Sequence, residues 1–241
     1  MSTNSLKALL SGLFVLFLAS GISAQDKQQH SAVKPVPKKG GWMRRHQSMN
    51  ARVKKGNVDL VFIGDSITQG WEGRGRQVWK KFYGKRNAVN LGIGGDRTQH
   101  VIWRLTNGNL YDITPKLAVI MIGTNNSGAN TPQQIAEGVT AIVKILRDKT
   151  PKTKILLLAT FPRGSNKNNK RRKVNEASNK IVAKLADGKQ VIYLDIGEKF
   201  LESDGTLTRA IMPDLLHLNQ KSYTIWAESI EPLVKKLMGE K

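Results

Sequence analysis

Short apolar runs alternate with longer amphipathic stretches from Trp42 to the end of the chain. This alternation is typical of βα units arranged around a parallel sheet. Five nearly continuous apolar runs are the predicted strands: 60–63, 88–91, 117–122, 155–160 and 191–194. Strands that are apolar along their whole length are buried on both faces, so helices must cover both sides of the sheet. We therefore predict an α/β fold, a flavodoxin-like three-layer sandwich with about five parallel strands.

Two of the stretches between strands carry clear helix signals. Thr131, Pro132 and Gln134 supply an N-cap, a proline in the first turn and a capping-box glutamine. The apolar residues that follow share one helical face: Ile135, Val139, Ile142 and Leu146. A similar stripe marks the last helix, where we expect Pro232 to kink or restart the helix because proline has no N–H to donate.

Polar and glycine-rich clusters follow the predicted strands. Ser66 follows the first strand, residues 94–96 follow the second and residues 123–126 follow the third. Asp214 and His217 lie just before the last helix. Because the carboxyl ends of parallel strands meet at one edge of an open sheet, we expect these groups to share one pocket there.

The N-terminus resembles a secretory signal peptide. Lys7 supplies a positive charge, residues 8–19 are mostly apolar, and small residues precede a cleavage site after Ala24. An uncleaved N-terminal anchor is the alternative, although the apolar run is short for a membrane span. The predicted division is a signal peptide at 1–24, a flexible basic linker at 25–41 and one domain at 42–241. The expected location is secreted or periplasmic, with no stable membrane insertion after cleavage.

The lack of cysteine and the large positive charge limit the reactions and the binding partners that are expected for this chain. The chain has 241 residues and no cysteine, which excludes disulfides, thiolate catalysis and cysteine-bound zinc. The net charge is +21, and residues 74–86 and 163–173 each hold six basic side chains. Such surfaces attract acidic glycans or anionic lipids, and solvated helix faces are the alternative interpretation. No nucleic-acid partner is expected, since the basic residues are not interleaved with aromatic ones.

Three residues could together carry out nucleophilic attack on an ester, as a nucleophile, a base and an orienting carboxylate. Ser66 is the candidate nucleophile, His217 the candidate base, and Asp214 the carboxylate that would orient the imidazole. Each has a structural alternative: a serine N-cap, a packed histidine and a turn aspartate. His217 stands out among the four histidines, because His46 and His100 fall in predicted helices with no carboxylate at a useful spacing.

Four short motifs resemble, in order, the four blocks of the SGNH, or GDSL-type, hydrolases: Gly-Asp-Ser at 64–66, Gly-Ile-Gly-Gly-Asp at 92–96, Gly-Thr-Asn-Asn at 123–126 and Asp-Leu-Leu-His at 214–217. The longer strings 90–96, 101–105 and 122–126 are similar to one branch of that family. This branch holds the catalytic subunits of brain-type platelet-activating-factor acetylhydrolase and their bacterial relatives. The third block usually ends in aspartate, whereas here, as in this branch, it ends in Asn126.

The resemblance implies an oxyanion hole. Its donors would be the backbone N–H groups of Ser66 and Gly95 and the side-chain amide of Asn125. The alternatives from the residues themselves are a tight turn for Gly95 and an Asx-turn for Asn125. Asp65 belongs to the first motif and is expected to brace the loop rather than to react.

The expected function is that of a secreted serine esterase that removes short acyl groups from oxygen esters. The resemblance suggests acetyl as the acyl group, and the signal peptide suggests carbohydrate as the acceptor. The alternatives are a lysophospholipase or lipase, and a non-catalytic glycan-binding module, which usually loses the nucleophile or the base. No cofactor and no metal are expected. The expected partner is a small acylated substrate or an acetylated glycan, and a homodimer, as in the similar branch, stays an open alternative.

Overall fold

The computed structural model describes residues 29–240, so the predicted signal peptide lies outside the described residues. Strands and helices alternate along this part of the chain, as the hydrophobic pattern predicts. In chain order they are α1 (Gly41–Val53), β1 (Leu60–Gly64), α2 (Ser66–Gln69), α3 (Arg76–Tyr83), β2 (Ala88–Gly92), α4 (Thr98–Thr106), β3 (Leu117–Met121), α5 (Pro132–Lys149), β4 (Lys154–Leu158), α6 (Lys170–Val182), β5 (Val191–Leu194) and α7 (Gln220–Met238).

The five strands form one parallel sheet. Their order is β2-β1-β3-β4-β5, which is the doubly wound order of flavodoxin-like folds. In such sheets the direction of winding reverses between the first and third strands, and ligands bind beyond the carboxyl ends there. All five predicted strands are confirmed, with ends shifted by two residues at most.

Side chains of the sheet alternate between two hydrophobic cores. On β1, Val61 and Ile63 pack into the core beneath α1, α4 and α5, and Leu60 and Phe62 pack into the other. The second core lies beneath α3 and α7 and includes the fully buried Trp226. The predicted three-layer sandwich is therefore confirmed.

The two helix predictions concern the start of α5 and the effect of Pro232 on α7. Thr131 caps α5 as predicted, and its Oγ1 accepts the N–H of Gln134 at 3.2 Å. Of the two outcomes expected at Pro232, the restart does not occur, because α7 runs from Gln220 to Met238 as one helix. Pro232 and Glu228, whose carbonyl loses a helical donor, are both exposed, which leaves that carbonyl open to hydration.

The described part of the predicted linker makes specific contacts with the domain. Ala32 is fully buried, and its carbonyl accepts the hydroxyl of Thr98 at 2.7 Å. Lys38 Nζ donates to the carbonyl of Gly95 at 2.6 Å. Residues 30–40, which we call the N-terminal strap, therefore contact the domain, a feature that the prediction of a flexible linker did not include. Most residues of the strap are exposed, and its contacts with the domain include those of a few backbone groups and of Lys38.

Candidate active site

The strand-end clusters meet at one edge of the sheet, as the sequence predicts. Ser66 begins α2 directly after β1, Gly95 follows β2 and Asn125 follows β3. Gly92 permits this close arrangement, because a Cβ at that position would lie 2.4 Å from the backbone nitrogen of Gln69. Asp65 caps α2, and its Oδ1 accepts the N–H of Ile67 at 2.9 Å.

Ser66, His217 and Asp214 form a continuous hydrogen-bonded chain. Ser66 Oγ lies 2.9 Å from His217 Nε2, and His217 Nδ1 lies 2.6 Å from Asp214 Oδ2. A carboxylate can only accept, so Nδ1 carries the proton and Nε2 is left to accept from the serine hydroxyl. The imidazole is thus held in the tautomer that a general base needs.

Asp214 is kept ionised by its own loop. Partial burial pushes its pKa upward, but hydrogen bonds from the ring and backbone of His217 and from the N–H of Leu216 outweigh this and lower the pKa to about 2. Leu215 adopts a left-handed backbone conformation with φ of 60°, which is uncommon for a residue with a branched side chain. The tight turn brings Asp214 and His217 together on one short segment.

The three expected oxyanion donors differ in how far the protein itself uses them. Among the described residues, the N–H groups of Ser66 and Gly95 have no protein acceptor. Gly95 has φ of 71°, a conformation that glycine adopts without strain. Asn125 Nδ2 donates one hydrogen to the carbonyl of Asp96 at 2.8 Å. Its contact with Asp65 Oδ2 is 3.5 Å, too long to hold the second hydrogen firmly.

Asp65 is completely buried beneath this region. Burial is the largest influence and raises its pKa to about 7, against the opposing N–H of Ile67 and the positive charge of Arg163. Its backbone carbonyl accepts the N–H of Gln69, and its side chain caps α2. These contacts fit the expected bracing role.

A buried ionic network supports the Gly95 loop, and sequence reasoning missed it. Asp96 Oδ2 accepts Arg104 Nε at 2.8 Å, and Oδ1 accepts the indole N–H of Trp42 at 2.6 Å. The side chains of Asp96 and Arg104 are both fully buried. One signal could have revealed it: Arg104 lies three residues after Val101 on the buried, largely apolar face of α4.

Asn126 explains the unusual end of the third motif. It is fully buried, and its Nδ2 donates to Gln99 Oε1 at 3.1 Å and to Asn130 Oδ1 at 3.0 Å. Its Oδ1 accepts the N–H of Thr98 at 3.0 Å. An aspartate could not donate to these oxygens, so this loop requires an amide.

The other histidines of the domain are structural. His100 lies 3.8 Å from Asp96 Oδ1, so the expectation that no carboxylate is near it is wrong. Burial nevertheless lowers its pKa to about 3, and its Nδ1 accepts the N–H of Arg97. His46 is also buried, and burial lowers its pKa. Neither ring reaches Ser66, so His217 alone contacts the serine within residues 29–240.

Metal-ligand and membrane features were also sought in residues 29–240. Nowhere in that range do three His, Cys, Asp or Glu side chains gather in a way that could hold a metal ion. Over the same range, each helix is too short or too polar to span a membrane.

Comparison with known proteins defines the class. The sequence profile of the GDSL-like lipase/acylhydrolase family matches residues 62–225, and the chain belongs to that family. The protein is accordingly a carboxylic ester hydrolase. The resemblance inferred from the four motifs is thereby confirmed.

The chain is similar to individual proteins in sequence and in fold. The chain is 35% identical to human platelet-activating factor acetylhydrolase IB subunit alpha1, over 88% of this chain and 93% of the relative. It is 37% identical to the rat alpha2 subunit, over 83% of this chain and 86% of the relative. A GDSL-like lipase from Bacteroides thetaiotaomicron has the same fold with a TM-score of 0.62, 22% identity and coverage of 80% and 97% of the two chains. A carbohydrate acetylesterase from Sinorhizobium meliloti matches with a TM-score of 0.59, 18% identity and coverage of 75% and 99%.

Proposed function

We propose that the protein hydrolyses short-chain oxygen esters, chiefly acetyl esters, through an acyl-enzyme formed on Ser66. The observation that carries this proposal is the unbroken contact from Ser66 Oγ through His217 to Asp214, at 2.9 Å and 2.6 Å. Groups arranged in this way activate a serine that is otherwise a weak nucleophile.

The steps follow from the hydrogen-bond directions. His217 Nε2 takes the proton of Ser66 Oγ as the oxygen attacks the ester carbonyl carbon, and the carbonyl oxygen becomes an oxyanion. The N–H groups of Ser66 and Gly95 and the amide of Asn125 stabilise this charge. Collapse expels the alcohol, which takes the proton from His217. Water then attacks the acyl carbon as His217 Nε2 takes its proton. The second intermediate collapses with return of that proton to Ser66 Oγ, which releases the carboxylic acid and restores the free serine.

The exposure of the site favours an ester on the surface of a larger molecule. The side chains of His217 and Asp214 are 35% and 53% exposed, so a bulky alcohol group can remain in solvent during the reaction. Acetylated carbohydrate is such an alcohol, and the structurally similar acetylesterase from Sinorhizobium meliloti is named for it. We infer deacetylation of carbohydrate as the first candidate activity.

The direct test is hydrolysis of 4-nitrophenyl acetate by the purified protein and by its Ser66→Ala variant. We expect turnover to fall by about 10⁴-fold or more in the variant, because the acyl-enzyme cannot form. Ser165→Ala, at an exposed serine, is the matched control and should retain the wild-type rate. Equal rates for wild type and Ser66→Ala would disprove the mechanism.

A second candidate is an acetylated phospholipid. It is favoured by the relatives at 34–37% identity, which are named platelet-activating factor acetylhydrolase subunits. Rates on acetylated xylan and on a glycerophosphocholine that carries an acetyl ester separate the two candidates. Comparison of the rates on 4-nitrophenyl acetate and 4-nitrophenyl octanoate then tests the lipase alternative. We expect the octanoate to be hydrolysed more slowly.

Export is proposed from the sequence of residues 1–24 alone. Expression of the full chain in a bacterium with a Sec pathway, followed by mass measurement of the secreted or periplasmic product, tests it. A product that begins at Gln25 supports export. A product that retains residues 1–24 supports the uncleaved anchor instead.

A further inference from the structure

Arg163 makes no direct contact with a carboxylate, although the negative charges of Asp65 and Asp214 both act on it. Its Nη1 donates to the carbonyl of Thr124 at 3.2 Å and to Thr124 Oγ1 at 3.1 Å. Within residues 29–240, its guanidinium has no carboxylate oxygen within 4 Å, and its Nε and Nη2 have no acceptor. Four other arginines that are partly or fully buried each bind a carboxylate: Arg45, Arg86, Arg104 and Arg172. Arg52 and Arg97, which are also partly buried, do not, so the environment of Arg163 is set apart by its place at the active site.

The position of Arg163 is fixed between the two halves of the active site. Thr124, which accepts its hydrogen bonds, immediately precedes Asn125 of the oxyanion region. Gly164 donates its N–H to the carbonyl of Leu215, at the centre of the turn between Asp214 and His217, at 2.9 Å. The guanidinium is thus tied to one wall of the site by its own donors and to the other by its neighbouring residue.

A second guanidinium borders the same loop. Arg171, near the start of α6, is exposed, and its side chain makes no hydrogen bond or ion pair with another residue of 29–240. Its Nη2 lies 3.0 Å from the point where a Cβ on Gly128 would stand, so it rests against the loop that carries Asn125. Burial is the main cause that lowers the pKa of Arg163, and the charge of Arg171 lowers it further.

We propose that Arg163 and Arg171 form a subsite for an anionic group of the substrate, a carboxylate or a phosphate, located next to the ester that Ser66 attacks. Two guanidinium groups that repel each other are stabilised by an anion placed between them, and arginine donors match the geometry of both anions. The inference rests on the proposed function, and it specifies the class of substrate as an acetyl ester that carries a nearby negative charge.

The first test compares two esters that differ only in charge, 3-acetoxybenzoate and 3-acetoxybenzamide. We expect wild-type kcat/KM to favour the anion by about tenfold, the effect of one charge-assisted hydrogen bond. Arg163→Gln should abolish most of this preference and Arg171→Gln should reduce it. Lys180→Gln removes an exposed positive charge from the far end of α6 and should leave the preference unchanged.

The outcomes distinguish recognition of an anion from a purely structural role of Arg163. If Arg163→Gln lowers kcat/KM for both esters by the same factor, the arginine only braces the Thr124 loop and the proposal is wrong. A wild-type ratio near one would also overturn it. Loss confined to the anionic ester supports it.

A binding measurement separates this inference from the proposed function. Calorimetric titration of 3-acetoxybenzoate and 3-acetoxybenzamide into Ser66→Ala reads the subsite without turnover. Tighter binding of the anion that disappears in the Ser66→Ala, Arg163→Gln double variant supports the subsite even if no ester is hydrolysed. Equal binding of both esters overturns it even if Ser66-dependent hydrolysis is found.

The source of the anion is resolved with larger substrates. Acetylated polygalacturonate offers a carboxylate, an acetyl ester of glycerophosphocholine offers a phosphate, and acetylated xylan with its acidic side groups removed offers neither. A rate that falls in Arg163→Gln for either charged substrate, and not for the xylan, supports the subsite and identifies its ligand. Equal falls on all three would contradict it.

Discussion

The two sides of the active site are built in opposite ways. On the base side, Asp214 and His217 lie on one short turn, with side chains 53% and 35% exposed, and their contacts are mostly with each other. On the oxyanion side, the loop of Gly95 is held by Asp96 and Arg104, whose side chains are fully buried.

The difference reflects what each side must do. A histidine needs one orienting contact and freedom to exchange protons with an alcohol and with water. Donors to an oxyanion must already stand in place when charge develops, because their value depends on avoiding reorganisation. We therefore expect changes on the base side to reduce turnover without affecting folding, and changes beneath the oxyanion side to reduce stability.

The largest effect is expected for Asp214→Asn. Asparagine can still accept the backbone N–H groups of Leu216 and His217, but its amide would meet His217 Nδ1 and favour the wrong tautomer. Turnover of 4-nitrophenyl acetate should fall by about 10³- to 10⁴-fold. The urea midpoint of unfolding should fall only slightly, since the carboxylate is more than half exposed and solvent weakens its interactions.

Asp204→Asn is the matched control for this change. Asp204 is also an exposed turn aspartate, and its Oδ1 accepts the N–H of Thr206 at 2.8 Å, but no histidine contacts it. It should leave both turnover and stability at the wild-type level. A large loss of stability in Asp214→Asn would contradict the idea that the base side is a self-contained turn.

The next effect is expected for Arg104→Met, which removes the buried cation that hydrogen-bonds to Asp96 and leaves only Lys38, at 3.9 Å, near the carboxylate. Breaking a buried ion pair in this way costs about 3–5 kcal/mol of unfolding free energy. Urea denaturation followed by tryptophan fluorescence measures it. Replacing Asp96 by asparagine in the same chain should recover part of the loss, because the uncompensated charge is removed.

Arg147→Met provides the comparison for Arg104→Met. Arg147 lies 3.2 Å from Asp187, with both side chains partly exposed to solvent. Exposed pairs of this kind contribute less than about 1 kcal/mol. Equal losses for the two variants would show that the network beneath the Gly95 loop is not a special support of the oxyanion side.

Much of the fold could be predicted because its signals are local. The five strands are uniformly apolar, and the capping residues of α5 act within one turn. The candidate residues Ser66, Gly95, Asn125, Asp214 and His217 could be placed at one edge because strand ends in a parallel sheet converge. The directions and distances of their hydrogen bonds could not be predicted from the sequence, because they depend on the packing of segments that are far apart in the chain.

The missed contacts share one physical cause. Lys38, Arg104 and Arg163 could be given no partner from the sequence, because in a very basic chain charge alone does not say which cation is buried. The N-terminal strap looked like a solvated linker for the same reason, because its backbone groups bond to Thr98 and Gln99 without any apolar pattern. Whether such a polar residue or segment packs against the domain depends on partners that are distant in sequence.

The smallest effect is expected for Lys38→Met in the N-terminal strap. Lys38 Nζ donates to the carbonyl of Gly95 at 2.6 Å and lies 3.9 Å from Asp96 Oδ1, so it is a positioning residue for the oxyanion loop. Loss of one such charged contact should lower kcat by about tenfold while KM stays constant. Lys39→Met, at the exposed neighbouring residue, should change neither constant. An equal loss in both variants, or a change confined to KM, would show that the strap does not position the oxyanion side.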